Sequence, residues 1–196
     1  MNIKSITLIM ACVIGLSTMS FTTNGASTEG KESATIIWKA EKVTGKHQGT
    51  VNFKNINWNF DSNGTLESAD FTVDMTSIAV TDLEGDMKGK LQGHLSSEDF
   101  FHVEEHPEAH FKTTAVKSLG KGAYDITGDL TIKGITKPLS FQAQVENDGH
   151  MKHATATVVI DRSEYDVRYG SNSFFKGLGD KAIYDDFTLE VDIKKH

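Results

Sequence analysis

The chain has 196 residues, with 20 Lys and Arg against 27 Asp and Glu for a formal net charge of −7, and 38% of it is hydrophobic. That length suits one domain with its own core, while the acidic balance argues against a nucleic-acid backbone as partner, which would need a clustered basic face. No stretch approaches the ~20 consecutive apolar residues of a membrane-spanning helix.

A short cationic start ending at Lys4 precedes an apolar run from Ile6 to Leu16, followed by small and polar residues up to Ser27. This is the layout of a secretory signal peptide, and we assign residues 1–26 to it, with cleavage after Ser20 or after Ala26 equally compatible. The single cysteine, Cys12, lies inside the apolar run, so a cleaved chain carries no thiol and no disulfide. Met10 fits a lipoprotein signal poorly and apolar residues continue past Cys12 to Leu16, so lipid anchoring through Cys12 is not expected. Residues 27–33 read as a polar linker and 34–195 as the folded domain.

From Ala34 onward apolar residues recur at every second position in eight segments, at 35–43, 49–60, 65–75, 108–118, 122–133, 137–147, 152–161 and 182–194. That is the period of half-buried strands. Turn chemistry separates them: Asp61-Ser62-Asn63-Gly64, Gly120-Lys121-Gly122, Lys133-Gly134 and Asn147-Asp148-Gly149 predict antiparallel hairpins. Between the third and fourth segments, Leu83, Met87 and Leu91 fall on one helical stripe and predict a short helix. A second helical turn is expected over 96–101, capped by Ser96 or Ser97, and this insertion is expected to be the only helical region. The stretch 163–181, with Tyr165, Tyr169, Phe174 and Phe175, reads as a lid or as a fixed crossover capping one end.

The fold class predicted is all-β: an eight-stranded antiparallel barrel with one short helical insertion between strands 3 and 4. Closure removes unpaired edges, and strands of about eleven residues tilted by ~40° give a barrel roughly 30 Å tall. The inward alternation positions are Trp38, Trp58, Phe71, Val73, Phe111, Ile126, Leu130, Phe141, Val158, Phe187 and Leu189, with the small Ala69, Ala115, Ala143, Ala154 and Ala156 among them. Periodicity alone is compatible with a solid interior or with a channel.

Particular residues resemble the YceI family, bacterial and commonly periplasmic proteins with a lipocalin-like barrel. The run from Tyr124 through Gly128-Asp129-Leu130-Thr131-Ile132-Lys133-Gly134 to Pro138-Leu139 is similar to that family's central hairpin. Gly93-His94-Leu95, the run Ser96 to Phe101, and Val43-Thr44-Gly45 resemble further family segments, as does Asp161-Arg162-Ser163-Glu164-Tyr165, while His106-Pro107 departs from a Tyr-Pro pair. The resemblance implies a lipocalin-like barrel that binds a long-chain lipid, such as a polyisoprenoid, an isoprenoid quinone or a fatty-acid derivative, in the periplasm or after secretion. It implies no cofactor and no catalytic residues, and it assigns ligand contact to the eleven lining positions.

A polar head group would sit at a barrel mouth, where Lys88, Lys90, Arg162, Arg168 and Lys176 are the candidate partners for a phosphate. His102, His106 and His110 alternate with Glu104, Glu105 and Glu108, but Pro107 interrupts any helix there, so no metal site is expected. The sequence contains no G-x-S-x-G elbow, no His-Glu-x-x-His and no phosphate loop. The competing expectation is a stress-related interaction protein that uses the barrel as a scaffold and acts through its surface. A homodimer is compatible with either.

Overall fold

The computed structural model describes residues 33–195. The segment expected to be a signal peptide, with Cys12, and all of the expected linker except Ser33 lie outside the described residues, and Ser33 is the first residue of a strand.

Eight antiparallel strands close into one barrel: β1 (Ser33–Lys42), β2 (Gly45–Phe60), β3 (Leu66–Val80), β4 (Glu108–Gly120), β5 (Ala123–Ile132), β6 (Ile135–Asn147), β7 (Lys152–Asp161) and β8 (Ile183–Lys195). Each strand pairs with its sequence neighbour, and β1 closes the ring on β8 through pairs such as Trp38 with Leu189. All eight alternating segments are therefore strands. The helix α1 (Gly85–Ser96) lies between β3 and β4.

Local chemistry sets the turns. Lys133 and Gly134 both have positive φ, 50° and 72°, which matches the twist of the flanking strands in a two-residue hairpin. At the opposite end the Asp61 carboxylate accepts the backbone N–H groups of Thr65 and Asn63, and these bonds hold its carboxyl below the usual carboxylate range. At Gly49 only glycine fits, because a Cβ there would lie 1.8 Å from the carbonyl oxygen of Ala79 and 2.5 Å from the indole of Trp38.

Several expectations are corrected. Ala115 faces solvent, because a register shift between Thr113 and Ala115 breaks the alternation of β4 and turns Val116 inward instead. The stretch 96–101 is not a second helical turn: Ser96 ends α1 and Ser97 caps its C-terminus, its N–H and hydroxyl both donating to the His94 carbonyl. Nor is the insertion the only helical region, since the β7–β8 connection contains 3-10 turns at Arg162–Tyr165 and Gly179–Lys181. The helical stripe is also rotated. Met87 is 62% exposed, while Leu95 is buried and Leu91 packs with it against Ile78 and Val80 of β3.

Antiparallel order decides what gathers at each end of the barrel. The β1–β2 turn, the α1 insertion, the β5–β6 turn and the β7–β8 connection all lie at one end, hereafter the α1 end, and the three remaining turns lie at the other.

Candidate functional site

Inward side chains of the barrel border two adjoining cavities. The smaller, about 110 Å³, is walled by apolar side chains from all eight strands, among them Trp58, Phe71, Phe111, Ile126, Phe141 and Val158. The larger, about 290 Å³, lies toward the α1 end and is bordered by Trp38, Val73, Phe187 and residues of the insertion. Leu130, Ile160 and Leu189 border both, so the two spaces meet at the barrel's waist. Each of the eleven alternation positions borders one cavity or the other.

Small residues make this space. Ala69, Ala143, Ala154 and Ala156 all border the smaller cavity, and Gly128 leaves room for the Phe111 ring, which a Cβ at residue 128 would meet at 2.5 Å. Phe111 in turn stands 6.3 Å from Phe71 and 5.4 Å from Phe141, centroid to centroid, in a row of rings along the wall. The indole N–H groups of Trp38 and Trp58 have no hydrogen-bond partner among the described residues.

Charged and imidazole side chains join the wall at the α1 end, where Glu41, Lys42, His47, His94 and Arg162 border the larger cavity. Of these, only Arg162 was among the sequence candidates for head-group contact. Its guanidinium is 4% exposed and already engaged: it donates to the carbonyls of Val167 (2.8 Å), Ile183 (3.2 Å) and Tyr184 (3.2 Å) and lies 3.3 Å from the Asp185 carboxylate. Burial pulls its pKa down, against the opposing pull of Asp185 and Asp161. Arg162 is thus the clasp that holds the β7–β8 connection to β8.

The other four candidates stand elsewhere. Lys88, Lys90 and Lys176 are exposed and border neither cavity. Arg168 faces an outer depression, pairs with Asp166 and stacks 5.1 Å above the Phe174 ring. Residues missed at this end include Lys42, which flanks the two-residue β1–β2 turn, and His47, which pairs with Ala40 near the start of β2 and lies with its imidazole 3.0 Å from the Asp82 carboxylate.

The β7–β8 connection is anchored at one side and open at the other. Tyr165, Val167 and Ser171 are fully buried, and burial raises the Tyr165 phenol to about 12. Tyr169, Phe174 and Phe175 are exposed, as are Val43, Met87 and Tyr184, all at the α1 end. His94 packs edge-on against Tyr169 at 4.1 Å and against Phe100 at 5.2 Å, linking α1 to this connection over the larger cavity.

The three imidazoles of the insertion do not converge. His110 stands on β4 beside Thr72 and Glu108, whereas His102 and His106 share one turn.

The structure is thus a closed antiparallel barrel with apolar cavities inside it and charged side chains at one rim. The model of the YceI-like domain matches residues 21–195, and the chain belongs to that family. Among curated relatives, a UPF0312 protein of Pseudomonas putida strain W619 is 38% identical over 95 residues, 46% of this chain and 47% of that one. A UPF0312 protein of Pseudomonas syringae pv. tomato is 50% identical over 56 residues, 29% of each chain. The alignments thus span about half the length of the curated relatives or less. Among solved structures, BcnA of Burkholderia cenocepacia superposes with a TM-score of 0.68 at 22% identity, covering 83% of this chain and 96% of that one. A polyisoprenoid binding domain from Saccharophagus degradans superposes with a TM-score of 0.58 at 13% identity, covering 82% and 92%. These likenesses show the fold.

Proposed function

We propose that this protein binds a long-chain amphiphilic lipid (a polyisoprenoid, an isoprenoid quinone or a fatty-acid derivative) inside its barrel and carries or sequesters it in the periplasm. One observation carries the reading: the pair of adjoining apolar cavities bordered by all eleven alternation positions. Burying hydrocarbon there contributes ~0.8 kcal/mol per enclosed methylene before ordering costs, so affinity is set by chain length and needs no buried charge. The polar rim and the exposed apolar collar at the α1 end suit a guest that enters tail first and leaves its head near Lys42 and His47. An oxygen-bearing guest would also offer an acceptor to the unpartnered indoles. The description of one structural neighbour as a polyisoprenoid binding domain agrees with this guest class. The proposed role is binding rather than turnover.

The chain's two tryptophans report on this directly, since Trp38 borders the larger cavity and Trp58 the smaller. Titration with prenyl alcohols of increasing length should tighten binding by up to ~0.8 kcal/mol for each further enclosed methylene, with Trp58 emission in a Trp38→Phe variant responding only to the longer alcohols. Affinity independent of chain length would contradict an interior site.

A further inference from the structure

His102, Glu105 and His106 each present a metal-ligating atom, and these atoms all lie within 4.8 Å of one another. The backbone brings them together. The His102 carbonyl accepts the N–H groups of both Glu105 (3.1 Å) and His106 (2.8 Å), so 102–106 winds one helical turn ahead of Pro107. Residues three and four apart then share a face, which the proline-broken sequence did not suggest. His102 enters this turn at φ 47°, in the left-handed region that side chains other than glycine disfavour. Such a conformation persists only where the surrounding structure imposes it.

The side chains are placed to match. Nδ1 of His102 lies 3.4 Å from Oε2 of Glu105, and the two imidazole centroids are 5.8 Å apart. Both imidazoles are half-buried and Glu105 is exposed, so two ligands are restrained and the third is free to swing in. Glu98, Asp99 and Asp166 border the depression that His102 and His106 line, and so do Lys133, Arg168 and Lys181, so the charges around it balance and the two imidazoles and Glu105 carry the site.

We propose that His102, Glu105 and His106 form a binding site for a borderline divalent transition-metal ion of the zinc, cobalt(II) or nickel class, with solvent completing the shell. Two imidazoles and one carboxylate suit these ions, whereas calcium and magnesium take oxygen ligands. Tetrahedral ligands ~2.0–2.1 Å from zinc stand about 3.3 Å apart, so small side-chain rotations close the site. Phe100 and Phe101, a few residues upstream, border the larger cavity, so a bound ion would stiffen the segment that covers it.

The test is calorimetric titration of the protein, free of any added histidine tag, with zinc chloride, together with the visible spectrum on adding cobalt(II). One ion per chain is expected, with tetrahedral cobalt bands. The H102Q/H106Q double variant should bind more than about tenfold more weakly, while H110Q should bind as the parent does and magnesium should not compete. Thermal melts in chelator establish that each variant is folded. Binding that survives H102Q/H106Q, or no binding by the folded parent, overturns the site.

Discussion

Replacing Arg162 by methionine is expected to lower stability by about 3–5 kcal/mol, the range for removing one partner of a buried ion pair. The reason is local and countable. The side chain is 4% exposed and binds the carbonyls of Val167, Ile183 and Tyr184 besides the Asp185 carboxylate. Methionine fills much of the same volume but donates nothing, so a carboxylate and three carbonyls lose their partner together. The Asp185 side chain retains only the Ser173 hydroxyl, at 2.7 Å, as a donor. The loss should appear as a lower urea midpoint with an unchanged slope. A change below about 1 kcal/mol, the value of a single ordinary hydrogen bond, would mean that the β7–β8 connection is held by its buried Tyr165 and Val167 without the clasp.

Filling the smaller cavity should separate binding from folding. Ala156 projects inward from β7 between Ala143 and Val191 and borders the cavity of about 110 Å³. Phenylalanine there enters open space, so the overpacking penalty of about 1–3 kcal/mol that attends a filled core should be largely avoided. The new ring occupies room that the far end of a long guest would take. Displacing about three methylenes at ~0.8 kcal/mol each removes ~2.4 kcal/mol, or roughly 50-fold in affinity for the longest ligands. Short ligands that reach only the larger cavity should bind unchanged. Equal affinity of Ala156→Phe and parent for the longest ligand would place the chain elsewhere.

Much of this architecture is legible in the sequence, because a half-buried barrel strand must alternate and its turns need residues that tolerate positive φ. Phe141-Gln142-Ala143-Gln144-Val145 shows the alternation plainly, and Lys133-Gly134 shows the turn. The reading fails where one extra residue enters a strand. At Ala115 the register shift inverts the face, and no composition signal marks it.

The rim was harder to read than the wall. Arg162 looked like a free cation because its partners are backbone carbonyls of β8 and of the connection, which have no side-chain signature. Lys88 and Lys90 lie close in sequence to cavity-lining residues of α1, but they project to solvent. The pairing of His102 with His106 was obscured by Pro107, which ends the turn after His106 without preventing it.

The central claim, that the barrel interior holds an apolar chain, is tested most directly by native mass spectrometry of the protein purified from the cells that make it, followed by organic extraction of what it releases. The account predicts one long-chain prenyl or acyl lipid per chain, lost on extraction and regained on adding lipid. A barrel that is consistently empty and that also refuses added lipids would contradict it and leave the interior as a scaffold for a surface that does the work.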